Sequence, residues 1–482
     1  MTLGDQQLLQ QNPWWSEPEW PTRDPHLANL SRQPAILPIP VVVQLPLGEP
    51  GLHTIRGPRQ VGKSTTLKLI VDRTLKNGWS PRAVMYITAD LLIGQPPSAL
   101  YEAVLRVKEM SRASGPNLVL LDEATMVRDW DIAIKSLWDD GPLRDDVVIC
   151  TGSSAVDMHH RAAERWPGRR GAGDDHLILP HSFPDFASAL EPSLPTSPRA
   201  TVVELTTASG RDALLDAQIH MPTLRRVFDL YLRFGGMPAA VADAVSGTTE
   251  PSERVMKIVV DGIVRDVARR GAQEPAARAL LERVARSLSS KASWSALAED
   301  MDVPIGARSR GGPTANTARD YIQFLAHSYL VLVVYAWRAD RVGSDLPRDK
   351  KLYFGDPLIA STMARITPGL RLEDTQLVEN VLAIALLRRY EPGYLQLAGF
   401  AAPTNLHSWR TSSGGEIDFV MGSRDLAEVV ESKYSNKITG RHLQSIKAAF
   451  GSRPAVVASK DILRFENSIS IMPASMLAWA LG

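Results

Sequence analysis

The residues with the clearest capacity for chemistry are Gly57-Pro58-Arg59-Gln60-Val61-Gly62-Lys63-Ser64-Thr65, a glycine-rich turn between a strand-like and a helix-like stretch. Their spacing fits G-x-x-x-x-G-K-[ST]. Glycines let the backbone approach phosphate oxygens, and successive N–H groups then face an anion at a helix start, where the dipole favours negative charge. In such a loop Lys63 sets a positive charge on the β- and γ-phosphates, Ser64 offers a hydroxyl to Mg²⁺, and Thr65 follows in the first helical turn. ATP with Mg²⁺ is the expected ligand.

A second group lies at Asn117-Leu-Val-Leu-Leu-Asp122-Glu123, an apolar run ending in two carboxylates. A strand buried on both faces loses alternation, and ligands of parallel sheets gather beyond the strands' C-terminal ends. Asp122 is therefore expected to hold Mg²⁺ through water, and Glu123 to polarise an attacking water. Asp146-Val-Val-Ile-Cys-Thr151-Gly-Ser153-Ser154 reads as a further buried strand whose polar end offers Thr151 and Ser153 as sensors of the γ-phosphate, or as a simple turn. Arg169 and Arg170, in a glycine-flanked basic loop, are candidates for stabilising phosphoryl transfer, within the same chain or on a neighbouring copy; solvated surface arginines fit the spacing equally.

A third constellation is C-terminal. Glu379 sits in the apolar helical stretch Leu377–Tyr390, Asp418 in the strand-like Glu416-Ile-Asp418-Phe-Val, and Glu431-Ser432-Lys433 at the end of another strand. The period of two puts Glu431 and Lys433 on one face. If the strands pair, Asp418, Glu431 and Glu379 converge on a cation, with Lys433 beside it to orient water or stabilise charge on a phosphate. A helix follows near Arg441–Phe450, the order of a PD-(D/E)XK nuclease core.

The elements that must position these groups follow an α/β rhythm from Leu52 to Leu179. Strands are expected at Leu52–Arg56, Ala83–Thr88, Asn117–Asp122 and Asp146–Thr151, with helices at Ser64–Lys76 and near Ala99–Ser111. Trp130, Ile134, Leu137 and Trp138 share one helical face and read as core. Residues 1–35, rich in proline, tryptophan and charge, read as an arm whose tryptophans dock on the body. Pro192–Pro198 resembles a linker and Leu224–Arg270 is mainly helical. Leu281–Trp337 has the rhythm of a winged helix-turn-helix, with Arg308, Arg310 and Arg319 supplying charge for a DNA-binding version, although such modules also serve only to pack against neighbouring domains, the role favoured here.

Length and composition narrow the classes. At 482 residues several domains are expected, and 44% apolar with 22% charged residues is globular composition. A net charge of +1 says nothing global about an acidic or basic partner, so any nucleic-acid surface is local. No apolar run reaches the roughly twenty residues of a membrane span, the first residues lack a signal-peptide core, and a cytoplasmic location is expected. The single cysteine, Cys150, lies in an apolar strand and reads as buried packing.

Taken together these segments resemble the prokaryotic ATP-binding proteins of the AAA_14 plus DUF4143 type, related to the AAA+/STAND ATPases. The resemblance runs through Gly57–Ser64, Leu121-Asp-Glu with Asp129-Trp130, Thr151–Ser154, Gly168-Arg169, His181-Ser-Phe-Pro-Asp-Phe186, Phe234-Gly-Gly-Met-Pro238, Val378-Glu-Asn380, Glu416-Ile-Asp418-Phe and Glu431-Ser-Lys433. Ser432 stands where an apolar residue is common, and His181 where a leucine is. The resemblance implies an α/β fold: an AAA+-like P-loop NTPase with a parallel sheet, a helical lid, a winged-helix region and a C-terminal α/β restriction-endonuclease-like domain. The expected divisions are an arm over 1–35, ATPase over 36–195, lid over 196–275, winged-helix region over 276–345 and nuclease-like domain over 346–482.

Three functions fit. One is a Mg²⁺-dependent ATPase whose nucleotide state controls a nuclease-like, nucleic-acid-associated domain carrying Asp418, Glu431 and Lys433 as catalytic residues, with Glu379 as a further metal ligand. The second is a STAND-like switch or assembly protein whose C-terminal module binds without cleaving, and the third a remodelling ATPase acting on protein. DNA or RNA, a protein partner and further copies of the chain are the partners these readings admit; a membrane is not.

Overall fold

The structure, a computed structural model, describes residues 3–113, 115–152, 166, 168, 170–268, 274–299, 314–337, 344–393, 395, 400–401, 403–410, 416–422 and 426–482. They form two compact units, Met1–Leu179 and Pro180–Gly482.

The first unit is built on five strands: β1 (Gly51–Arg56), β2 (Val84–Thr88), β3 (Leu118–Asp122), β4 (Val147–Thr151) and β5 (Asp175–Leu177), in the order β2-β3-β4-β1-β5. Every pairing among them is parallel. Burial on both faces explains why β3 and β4 read as continuous apolar runs. Helices α1 (Lys63–Lys76), α2 (Pro97–Ser111) and α3 (Trp130–Asp139) connect them, and Trp130, Ile134, Leu137 and Trp138 of α3 are buried as their spacing predicts.

The order leaves β2 at one edge, where unpaired backbone groups invite aggregation. The N-terminal segment covers that edge with side chains. Asn12 donates from Nδ2 to the Tyr86 carbonyl at 2.9 Å and accepts the Tyr86 N–H at 2.7 Å, mimicking a neighbouring strand. The Thr88 N–H donates to Gln11 Oε1, and the indoles of Trp14 and Trp15 both donate to the Val84 carbonyl.

The second unit begins with helices. They include α4 (Phe183–Leu190), α5 (Met221–Phe234), α6 (Pro238–Val245), α7 (Glu253–Ala268), α8 (Glu274–Arg286), α9 (Trp294–Glu299) and α10 (Ala315–His327), with two short helices, Val202–Thr206 and Ala208–Asp216, between α4 and α5. Two sequence motifs meet here. Ser182 and Asp185 form a reciprocal capping box at the start of α4, and Phe183 and Phe186 pack on Tyr231 of α5. Gly235-Gly236 ends α5 so tightly that a Cβ on Gly236 would lie 1.8 Å from the His181 carbonyl oxygen. The Gly236 N–H donates to Asp356, a buried carboxylate that burial pushes up to about 6 and that also caps the next helix.

A nine-stranded mixed sheet follows, formed by β6 (Lys291–Ala292), β7 (Val331–Trp337), β8 (Ser344–Phe354), β9 (Leu406–Arg410), β10 (Glu416–Met421), β11 (Glu428–Ser432), β12 (Ala455–Ser459), β13 (Arg464–Glu466) and β14 (Ile469–Pro473). The order is β13-β14-β12-β11-β10-β9-β7-β8-β6, so the hairpin β7–β8 after α8, α9 and α10 extends this sheet. Arg319 is exposed on α10, while Arg308 and Arg310 lie outside the described residues. Helices α11 (Pro357–Ile366), α12 (Asp374–Tyr390), α13 (Gly440–Phe450) and α14 (Ala474–Leu481) complete the unit. Leu443, Ile446 and Phe450 of α13 pack on Val429, Val457 and Ile471 of the sheet.

Candidate functional site

In the first unit the loop between β1 and α1 depends on two glycines. A Cβ at Gly57, whose φ is +149°, would approach the Ile178 carbonyl oxygen to 2.0 Å, and Gly62 turns into α1 at φ +90°. Both positions exclude a side chain or strain it. Lys63 then points back into the loop: its Nζ donates to the Gly57 and Pro58 carbonyls at 3.0 and 2.9 Å, so the ammonium lies inside the turn. Val61 is buried, Arg59, Ser64 and Thr65 are half-buried, and Gln60 is exposed in left-handed backbone at φ +67°.

Asp122 ends β3, nearly buried, and both carboxylate oxygens accept from neutral hydroxyls. Tyr86 Oη donates to Oδ2 at 2.7 Å and Thr151 Oγ1 to Oδ1 at 2.5 Å. The same Thr151 hydroxyl accepts the Glu123 N–H at 3.1 Å, so one side chain at the end of β4 ties both acids of β3 in place. Thr151 is fully buried, and Glu123 occupies left-handed backbone at φ +52°. Below Asp122, Lys68 of α1 lies 3.4 Å from the Tyr86 ring centroid and 3.8 Å from Asp24. Burial lowers its ammonium to about 8, against the opposing pull of Asp24 and Asp122. Tyr86, Lys68 and Asp24 escape sequence reading because each sits in an otherwise ordinary element and acquires its role through tertiary packing.

Arg170 pairs with Asp175 at 2.9 Å, and Arg56 reaches the same carboxylate at 3.6 Å. Ser153 and Arg169 lie outside the described residues.

In the second unit β10 and β11 pair antiparallel, with Phe419 opposite Val430, so Asp418 stands opposite Glu431. The Asp418 N–H donates to Glu431 Oε2 at 3.2 Å, the Ser432 N–H donates to Asp418 Oδ2 at 2.9 Å, and Lys433 Nζ lies 2.7 Å from Glu431 Oε1. α12 supplies Glu379, while its neighbour Asn380 pins β8 by exchanging two hydrogen bonds with the Phe354 backbone. The structure thus brings Glu379, Asp418, Glu431 and Lys433 into one region.

It adds three residues that sequence reasoning missed. Lys351 of β8, only 3% exposed, lies 3.0 Å from Glu379, 2.9 Å from Glu416 and 2.9 Å from Asp418. Tyr353 donates to Glu379 Oε1 at 2.6 Å. Glu416 joins Asp418 through the period of two along β10. The available signal was the pair Lys350-Lys351 running directly into the apolar strand end Leu352-Tyr353-Phe354; Lys350 is also buried, 4.0 Å from the Trp294 ring centroid. Charge is regulated by these contacts. Burial, then the Asp418 charge, pushes Glu379 and Glu431 up to about 7. Burial alone would lower Lys351, but Asp418, Glu379 and Glu416 outweigh it and raise the ammonium above its ordinary range.

A divalent ion is tested against this donor set. Three carboxylates converge, yet on the Lys351 ammonium, and among the described residues no group of three or more His, Cys, Asp or Glu is arranged to hold a metal ion. The C-terminal residues as folded do not fit a resident metal.

The parallel sheet, the loop leading into α1 and the acids ending β3 define a P-loop ATPase fold. Residues 49–187 match the AAA domain family, 225–370 a domain of unknown function (DUF8612) and 374–477 another (DUF4143). The first and third of these matches cover the segments whose motifs resemble the AAA_14 plus DUF4143 type. No curated protein matches it. Among solved structures, the Walker-type ATPase PABY2304 of Pyrococcus abyssi is 16% identical at a TM-score of 0.38, covering 73% of this chain and 96% of that one. The ORC1 protein of Aeropyrum pernix in complex with DNA is 16% identical with the same coverages and a TM-score of 0.32. The ORC2 protein of that organism, in ADPNP-ADP complexes, is 13% identical at 0.33, covering 70% and 88%. These likenesses are distant, and the functional reading rests on this chain's own residues. Among the described residues no helix is long and apolar enough to cross a membrane.

Proposed function

We propose that the chain is a Mg²⁺-dependent ATP hydrolase that works as a STAND-like switch, its nucleotide state controlling a C-terminal module that binds nucleic acid or protein without cleaving it. The observation that carries the ATPase is the Asp122 carboxylate: it sits in a parallel sheet beside the Gly57–Ser64 loop and is held by two neutral hydroxyls, which orient it without neutralising its charge. Such a carboxylate, with the Ser64 hydroxyl, is a hard oxygen donor set suited to Mg²⁺. The metal when bound would offset negative charge on the phosphates. Lys63 exchanges its loop carbonyls for phosphate oxygens, Glu123 takes the proton of the attacking water, and Thr151 keeps Glu123 aligned by accepting its N–H.

The competing reading, in which Asp418, Glu431 and Lys433 cleave DNA or RNA, is favoured by their convergence across β10 and β11. Lys351 weighs against it, because its ammonium neutralises the carboxylates that cleavage would use. The test is an assay of purified protein on supercoiled DNA, linear DNA and RNA with Mg²⁺ or Mn²⁺, with and without ATP. The expected result is phosphate release with intact nucleic acid. Cleavage that disappears in Asp418→Ala would establish the competing reading, and absence of phosphate release with each ligand would remove the ATPase.

A further inference from the structure

Lys351 reaches its partners from β8, a strand separated from β10 by β7 and β9, while Glu379 arrives from α12. Three separate elements therefore deliver one ammonium and three carboxylates to the same point. An ammonium has three N–H donors and no acceptor. Here three carboxylate oxygens lie at 2.9–3.0 Å from Nζ, one from each of Glu379, Glu416 and Asp418.

The second oxygens of Asp418 and Glu416, and both oxygens of Glu431, have protein partners too. Asp418 Oδ2 accepts from the Ser432 N–H, Glu431 Oε2 from the Asp418 N–H, and Glu431 Oε1 faces Lys433. Lys291 lies 3.4 Å from Glu416 Oε2. A divalent ion needs the same oxygens at about 2.0–2.6 Å, in the space Nζ fills. Because Lys351 is almost wholly buried and touches three carboxylates, expelling it costs three charge-assisted bonds and leaves an unpaired ammonium in the interior.

We propose that Lys351 is the resident cation of the C-terminal site, a tethered ammonium in the position of a divalent ion, so that the Glu379–Glu416–Asp418 cluster takes up a divalent metal only when this ammonium is removed. The module is then metal-independent. Its carboxylates serve as a fixed joint between β8, α12 and β10.

The test is Mn²⁺ titration of the full chain without nucleotide, following free Mn²⁺ by electron paramagnetic resonance. Leaving out nucleotide separates the outcome from the ATPase reading, whose success or failure it does not affect. The parent and Asp418→Asn are expected to take up Mn²⁺ equally, because the cluster contributes no site. Lys351→Met, folded by circular dichroism, is expected to gain one Mn²⁺ site at least about tenfold tighter than any uptake of the parent. Adding Asp418→Asn to Lys351→Met is expected to abolish it. A parent site lost in Asp418→Asn overturns the proposal, as does folded Lys351→Met that gains no site. If Lys351→Met does not fold, the comparison of the parent with Asp418→Asn and Glu379→Gln decides: equal uptake supports the proposal and a lost site overturns it.

Discussion

Asp122 and Asp418 are both nearly buried aspartates at strands of a sheet, and they are held in opposite ways. Neutral hydroxyls of Tyr86 and Thr151 hold Asp122, while the neighbouring Lys68 ammonium sits on the Tyr86 ring and beside Asp24. An ammonium holds Asp418, which shares Lys351 with two glutamates. Hydroxyls orient a carboxylate and leave its negative charge to attract a cation from outside. An ammonium orients it and cancels the charge at the same time. Two acidic motifs that look alike in one dimension are thus suited to different work, one to an exchangeable cation and the other to a fixed joint.

The largest effect that sharpens this contrast is expected at Glu123. Glu123→Gln should lower ATP turnover by about 10²- to 10⁴-fold, measured by steady-state phosphate release, while nucleotide binding persists. Unchanged turnover would remove Glu123 as the base. Next comes the lysine joint: Asp418→Ala takes one carboxylate from a buried charge network and should destabilise the second unit by about 3–5 kcal/mol in urea unfolding. A loss below about 1 kcal/mol would mean that Lys351 does not depend on Asp418. Thr151→Val deletes the hydroxyl shared by Asp122 and Glu123, and should lower turnover with a smaller change in nucleotide affinity, by about tenfold for the roughly 1–3 kcal/mol of an unsatisfied buried group.

The smallest effect is in pH dependence. Glu379, raised to about 7 from an ordinary 4.5, holds its proton in the folded chain where the unfolded chain has lost it. Its contribution to stability therefore declines as pH rises from 4.5 to 7, by up to about 1.4 kcal/mol per unit. Glu379→Gln should flatten the fall of Tm across that window. An equally steep fall would place the titration elsewhere, for instance at Glu431, which is raised to about the same value.

How much of this was legible in the sequence depends on the range of the interactions. The loop at Gly57–Ser64 is contiguous, and its glycines are required by local backbone geometry, so a short pattern identifies it. Asp122 was legible because a strand buried on both faces becomes an unbroken apolar run with a carboxylate at its end. Glu431 and Lys433 share a face through strand periodicity alone. Lys351 was not legible, since its role comes from the convergence of β8, α12 and β10, elements distant in sequence. The same holds for Asn12 at the β2 edge: the tryptophans beside it signal docking, but nothing local says that an amide completes the hydrogen bonding of Tyr86. Whether a Glu-x-Asp or Glu-x-Lys pattern such as those at Glu416–Asp418 and Glu431–Lys433 holds a metal or a lysine is decided by its tertiary partners.

The contrast between the two sites is tested most directly by counting ions. Full-length protein with a non-hydrolysable ATP analogue and Mn²⁺, quantified by electron paramagnetic resonance, should hold a single tightly bound Mn²⁺ per chain, lost in Asp122→Asn and retained in Asp418→Asn. A second tight ion per chain, or loss of the bound ion in Asp418→Asn, would contradict the account.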